Sequence, residues 1–212
     1  YSPTSLPGHK TKSSPMGSIE QSFNPLAVAL GAEATFVART VDVHTKHLAE
    51  ILRRAAAHRG TSFVEIYQNC LIYNGSAWDH LTEPNLKDDN CLVLEDGKPM
   101  IFGKNRDKGI RLRGLQPEVV PLGDGITEAD LLVHNERAPG PNLATILSRM
   151  EPPQFPAPLG VFRCIEKPTY ADLMLGQVQE AMDKRGVGDL AALYRAADTW
   201  TVSDASAEGN GA

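Results

Sequence analysis

The sequence predicts an α/β fold, the C-terminal portion of a doubly wound sheet followed by an irregular α+β extension, and three observations carry this. Residues 35–41 and 61–67 are apolar, β-branched runs of strand length. Between them Leu48, Ile51, Leu52 and Ala55 recur at helical spacing while Lys46, Glu50 and Arg53 turn away, the pattern of an amphipathic helix. A strand, a helix and a second strand in so short a stretch make a right-handed crossover unit, and such a unit needs a parallel pair. After Asn74-Gly75 the regularity ends, which divides the chain into residues 1–75 and 76–212.

The elements follow in order. Residues 1–22 are rich in Ser, Thr, Pro, Gly and Lys without an apolar period, the composition of a long loop. Asn24 caps a helix with Pro25 at its first position and Gly31 at its end. Asp42 is the candidate cap of the amphipathic helix and Gly60 its stop. In the extension, residues 78–81 suggest a helical turn, and 91–94 with 100–102 flank Glu95-Asp96-Gly97-Lys98-Pro99 as a hairpin. Residues 110–113 and 118–120 are short strands, and 142–150 is a helix. Pro152, Pro153, Pro156 and Pro158 form a stiff linker to a strand at 161–165. Thr169, with Asp172 three residues on, caps a helix over 171–184 whose apolar stripe is Met174, Val178, Ala181 and Met182. A short helix at 189–197 and a polar tail at 203–212 close the chain.

Composition narrows the function. With 212 residues and 42% hydrophobic content the chain can bury a real core. A net charge of -5 with both signs interspersed offers no basic stripe, which argues against nucleic acid as a partner. No apolar stretch approaches the roughly 18 residues of a membrane span. The three cysteines, Cys70, Cys91 and Cys164, are odd in number and widely spaced, as expected of a reducing, cytoplasmic compartment rather than a disulfide framework. The first residue is Tyr1, with no leader pattern after it, and the chain reads as a fragment.

Cys70 is the residue most suggestive of chemistry. It ends Glu65-Ile66-Tyr67-Gln68-Asn69-Cys70, just beyond a strand, and so falls at the carboxyl edge where ligands of open α/β sheets collect. It is either a small buried hydrophobe or a soft ligand whose partners lie outside this chain. His44 and His47 stand three apart at a helix head, but no third ligand accompanies them, and they read as solvated. Gly123-Asp124-Gly125 has the composition of a magnesium and pyrophosphate loop, yet Asn135 follows too early to complete one, and the triplet reads as a turn. Dinucleotide and phosphate-loop glycine patterns and a nucleophile elbow are missing, and no catalytic residue is assigned.

Tyr1-Ser2-Pro3-Thr4-Ser5, Thr11-Lys12-Ser13-Ser14-Pro15-Met16-Gly17-Ser18 and Asn24-Pro25-Leu26-Ala27 occur in that order. They are followed by Phe36-Val37-Ala38-Arg39, His47-Leu48, Phe63-Val64-Glu65-Ile66-Tyr67-Gln68-Asn69-Cys70 and Tyr73-Asn74. Pro158-Leu159-Gly160-Val161-Phe162-Arg163 and Asp198-Thr199-Trp200 complete the set. Together they resemble the β subunits of 2-oxoacid:ferredoxin oxidoreductases, of the 2-oxoglutarate synthase type in the shape of the extension.

That resemblance implies a C-terminal fragment of a thiamine diphosphate-binding domain with its extension. It implies oxidative decarboxylation of 2-oxoglutarate or pyruvate with coenzyme A, giving acyl-CoA and carbon dioxide while ferredoxin is reduced. The implied cofactors are thiamine diphosphate, magnesium and one four-iron, four-sulfur cluster, and the implied partner is an α subunit. Cys70 matches the family's late cluster cysteine, in a semi-buried position. Tyr1, Ser2, Pro3 and Thr4 match a loop near thiamine diphosphate. The family's Gly-Asp-Gly, its metal-binding asparagine and three early cysteines would lie upstream of Tyr1. Cys91 and Cys164 match no ligand and are assigned to packing. Two other classes stay open: a scaffold subunit without a cofactor, and a thiamine diphosphate enzyme that does not use ferredoxin.

Overall fold

The computed structural model describes residues 5–200 and residue 202, so the expectations for Tyr1, Ser2, Pro3 and Thr4 and for the tail at 203–212 lie outside the described residues. The chain forms two compact units that divide after Lys167.

The first unit opens with helix α1 (Pro25–Gly31), whose cap Asn24 accepts a hydrogen bond from the Ala27 amide at 2.9 Å, with Pro25 at the first position. Strand β1 (Phe36–Val41), helix α2 (Thr45–Ala57) and strand β2 (Ser62–Tyr67) form the expected crossover, and β1 and β2 pair in parallel with Val41 opposite Tyr67. The cap of α2 is His44 rather than Asp42, whose carboxylate instead accepts from the adjacent Val43 amide at 2.7 Å. Leu52 is 45% exposed, so the buried stripe of α2 narrows to Ile51 with Ala55 beside it.

Beyond residue 75 come two single-turn helices, α3 (Asp79–Thr82) and α4 (Lys87–Asn90), then strand β3 (Cys91–Val93). Strands β4 (Ile101–Phe102), β5 (Lys108–Arg113) and β6 (Gln116–Pro121) form an antiparallel sheet of their own. The expected hairpin of 91–94 with 100–102 does not form. The Lys98 amide does close the turn onto the Glu95 carbonyl at 3.1 Å, but the Met100 amide bonds the Leu132 carbonyl at 2.9 Å, and the two strands leave for different sheets. Gly123-Asp124-Gly125 is a tight turn closed by bonds between Gly123 and Ile126.

Helix α5 (Asn142–Ser148) leads to strand β7 (Ala157–Cys164), which starts earlier than expected and takes Pro158 out of the linker. This strand decides the architecture. It pairs antiparallel with β1 on one side and parallel with β3 on the other, giving the order β2-β1-β7-β3. The sheet is therefore mixed, and it runs across residue 75, where the sequence changes character but the packing does not break. On one face Val37 packs with Leu26 and Leu30 of α1, Leu147 of α5, and Phe162. On the other, Phe36, Ala38 and Val161 pack with Ile51 of α2.

In the second unit α6 (Tyr170–Arg185) has a complete capping box. Thr169 Oγ1 accepts from the Asp172 amide, and the Asp172 carboxylate accepts from the Thr169 amide at 3.0 Å. Helix α7 (Leu190–Tyr194) is capped by Asp189, and neither helix buries a residue.

Two tests follow from this packing. Gly160 has a φ of +134°, and a Cβ there would stand 2.9 Å from the Leu94 carbonyl oxygen. Gly160→Ala is expected to destabilise the first unit by about 1–3 kcal/mol in urea titration, whereas Gly176→Ala, with open space around it, has no destabilising effect. His134 is buried and donates from Nε2 to the Val161 carbonyl at 2.7 Å, while its Nδ1 has no partner. Burial lowers its pKa from the ordinary 6.5, so the neutral ring belongs to the folded state. The stability it contributes is present above the unfolded pKa and is lost as pH falls below about 6.5 towards the folded value. His134→Gln, which keeps a donor for Val161, should flatten the acid limb of the stability-pH curve between pH 7 and 5.

Candidate functional site

Parallel pairing brings the carboxyl ends of β1 and β2 to one edge, and the chain leaves β2 there through Gln68 and Asn69 into Cys70. Cys70 begins a five-residue turn. Its amide donates to the Asn74 carbonyl at 3.1 Å, and the Asn74 amide returns to the Cys70 carbonyl at 2.8 Å. The thiol is exposed rather than semi-buried, which corrects the expectation. Its pKa is held below the ordinary thiol value by the nearby backbone amides, Tyr73 first and then Ile72. Leu71, Ile72 and Tyr73 stand out at 91, 84 and 79% exposure, so the thiol sits in an apolar tip with no core beneath it.

The base of the turn is firm. Trp78 stacks on Tyr67 with ring centroids 3.7 Å apart and planes within 9°. Asn69 Oδ1 accepts from the Trp78 amide at 2.8 Å, and its Nδ2 donates to Asp79 Oδ1 at 2.9 Å. Beneath Tyr67 lies Arg39, only 1% exposed, with its Nε 2.6 Å from Glu65 Oε2 and its guanidinium 4.9 Å from the centre of the Tyr67 ring. Burial pushes the Tyr67 hydroxyl well above the ordinary tyrosine range, so it stays neutral.

The same sheet edge borders a cleft of about 650 Å³, lined by His44, His47, Lys87, Cys91 and Arg106 among others. The two histidines are half-buried rather than solvated, and His47 Nδ1 lies 2.7 Å from Thr40 Oγ1. Burial lowers the pKa of both, with the Lys87 charge adding to the effect on His44. Cys91 packs beside Val41 and Tyr67, and burial pushes its pKa up to about 12. Cys164 packs near Ile51 and Val161 and is also raised by burial. Of the three thiols, Cys70 alone has a lowered pKa.

Among the described residues no group of three or more His, Cys, Asp or Glu side chains converges on a point that could hold a metal ion. Cys70 can therefore contribute one thiolate to a metal centre but cannot complete one. Sequence reasoning located Cys70 and missed Asn69, Trp78 and Asp79 as its support. The signal available was an Asn beside the thiol, with an aromatic and an acid a short loop further on.

Comparison with known proteins places the chain among thiamine diphosphate enzymes by similarity. Residues 2–66 match the family described as "Thiamine pyrophosphate enzyme, C-terminal TPP binding domain", which ends inside β2. The 2-oxoglutarate oxidoreductase subunit KorB of Mycobacterium tuberculosis is 40% identical over 205 residues, covering 95% of this chain and 54% of that relative. A 2-oxoacid:ferredoxin oxidoreductase subunit beta of Saccharolobus solfataricus is 42% identical over 73 residues, 34% of this chain and 24% of its own. A solved structure of 2-oxoglutarate:ferredoxin oxidoreductase from Magnetococcus marinus, with 2-oxoglutarate, coenzyme A and succinyl-CoA bound, shares the fold at a TM-score of 0.58 and 22% identity. That match covers 94% of this chain and 53% of the Magnetococcus chain.

The chain is thus an α/β protein whose residues 2–66 match a thiamine diphosphate-binding domain. Over most of its length it is similar to β subunits of 2-oxoacid:ferredoxin oxidoreductases, and it spans about half the length of the KorB relative.

The thiol environments give a direct test. In the folded protein between pH 7 and 8, iodoacetamide should label Cys70 first, with one fast equivalent, while Cys91 and Cys164 react slowly until denaturant is added. Peptide mapping by mass spectrometry reads the order, and early labelling of Cys91 would contradict it.

Proposed function

We propose that this chain works as part of the β subunit of a 2-oxoglutarate-type 2-oxoacid:ferredoxin oxidoreductase. The reaction is the oxidative decarboxylation of 2-oxoglutarate, or of pyruvate, with coenzyme A to acyl-CoA and carbon dioxide, with reduction of ferredoxin. The observation that carries the reading is 40% identity over 95% of the chain to a 2-oxoglutarate oxidoreductase subunit, coupled with an exposed thiol of lowered pKa at the carboxyl sheet edge.

When bound, thiamine diphosphate with magnesium supplies the electron sink for decarboxylation, and a four-iron, four-sulfur cluster passes the electrons to ferredoxin. Cys70 fits the role of one cluster ligand, because ligation needs an accessible thiolate, and its thiol is exposed with a pKa below the ordinary value. The other ligands come from outside these 212 residues, for which the greater length of the relatives leaves room. In the same reading Tyr1, Ser2, Pro3 and Thr4 border thiamine diphosphate, an α subunit completes the active site, and the enzyme is cytoplasmic. No described helix is long and apolar enough to cross a membrane.

Cys70→Ala in the complete enzyme tests the reading. The expected outcome is loss of the four-iron signal in electron paramagnetic resonance, a drop in bound iron and sulfide, and ferredoxin reduction at background. A variant with a full complement of iron and sulfide overturns the ligand role. A complete wild-type enzyme that binds thiamine diphosphate but no iron favours a decarboxylase or ligase without ferredoxin.

A further inference from the structure

We infer that the cleft between the start of α2 and the turn after β4 is a binding site for a nucleoside diphosphate, with Lys46, Lys87 and Arg106 holding its phosphates. The inference goes beyond the reading of Cys70 as a cluster ligand and does not rest on it.

The place suits a ligand. The cleft lies beyond the carboxyl end of β1, where the chain turns into α2 while β7 runs past in the opposite direction. Crevices outside the carboxyl ends of strands are where α/β sheets take ligands. A volume of about 650 Å³ is that of a small-molecule site and fits a nucleotide better than a lone ion.

The cations come from three separate elements. Lys46 belongs to the first turn of α2, Lys87 opens α4, and Arg106 lies in the turn after β4. Backbone bonds bring the last two together. The Gly103 amide donates to the Asp88 carbonyl at 2.9 Å and the Arg106 amide to the Gly103 carbonyl at 2.9 Å, which ties the turn carrying Arg106 to the helix carrying Lys87. Lys87 is in turn close enough to His44, at the cap of α2, for its charge to act on that ring. Among the described residues none of the three cations is in an ion pair, whereas Lys108 nearby is held by Asp89 at 2.8 Å. Like charges gathered without ion-paired partners repel one another, and a bound diphosphate relieves that repulsion.

The start of α2 adds neutral donors. His44 makes no capping hydrogen bond and the first turn has no acid, so the leading amides of α2 face neither an intrahelical acceptor nor a competing carboxylate. His44 Nε2 is shielded from solvent and has no hydrogen-bond partner. The rest of the wall selects against a bare anion. Phe102 and Leu159, both buried, supply apolar surface, and Asp88 and Glu95 also line the cleft. Carboxylates repel a small anion but accept from ribose hydroxyls, so the ligand needs donors as well as phosphates.

Isothermal titration calorimetry of the full chain with ADP tests the inference. One ADP is expected to bind per chain, more weakly as salt rises, and the amide resonances of Thr45 and Lys46 should shift with it. Arg106→Gln and Lys87→Gln should each weaken binding about tenfold, the loss of one charge-assisted hydrogen bond. Lys184→Gln, in the second unit, leaves the affinity unchanged. Coenzyme A, whose nucleotide end carries the same diphosphate, identifies the source: tighter binding than ADP names the coenzyme, weaker binding a free nucleotide.

No binding of ADP or coenzyme A at millimolar concentration overturns the inference, and so does binding that both cleft variants leave intact. Inorganic phosphate bound as tightly as ADP would reduce the site to a simple anion site and overturn the nucleotide assignment. Arg106 is exposed and Lys87 half-buried, on separate elements, so if circular dichroism shows one variant unfolded the other decides.

Discussion

The antiparallel pairing of β7 with β1 is the constraint on which the rest of the first unit depends. Strand β1 is central: it carries β2 on one edge and β7 on the other, and all six of its residues are buried. Because β7 arrives from more than a hundred residues away, it draws β3 and α5 onto the same framework. A register shift between Val37 and Ala38 lets Phe162 enter the core that α1 and α5 cover. At Gly160 the strand passes so close to Leu94 that a side chain has no room. The result is a fixed edge where β1 and β2 end together, and that edge is where Cys70 is presented.

The chemistry of the edge follows from environment rather than residue type. The chain has three cysteines, and burial holds the thiols of Cys91 and Cys164 in the protonated form. Cys70 differs because it has left the sheet and entered an exposed turn, where nearby backbone amides lower its pKa. Arg39 shows the opposite strategy, a charge kept inside by Glu65 and by the faces of Tyr67 and Phe162. Removing one member of such a buried pair costs about 3–5 kcal/mol, since the other is left without compensation. This pair supports the floor under Tyr67, and Tyr67 in turn supports Trp78 and the neck of the Cys70 turn.

Local signals made much of this legible in the sequence. The crossover of β1, α2 and β2 was readable because its periods are local and its strands pair in order, and the Asn24 and Thr169 caps because capping chemistry spans only a few residues. The pairing of β7 with β1 was not readable, since nothing in residues 157–164 names its partner. The same limit explains the missed hairpin: the turn at 95–98 forms, but long-range bonds from Met100 to Leu132 and from Leu94 to Leu159 take the two flanking segments elsewhere. Cap competition misled at α2, where Asp42 bonds its neighbour and His44 occupies the cap. Cys70 stood out by its place after a strand, whereas its exposure and its support depend on how Trp78 and Asp79 fold back.

The central proposal is that Cys70 is one ligand of an iron–sulfur cluster. Anomalous diffraction at the iron edge from crystals of the complete enzyme tests it most directly. The account predicts an iron peak at bonding distance from Cys70 Sγ. Iron located elsewhere, with Cys70 free in solvent, would contradict it.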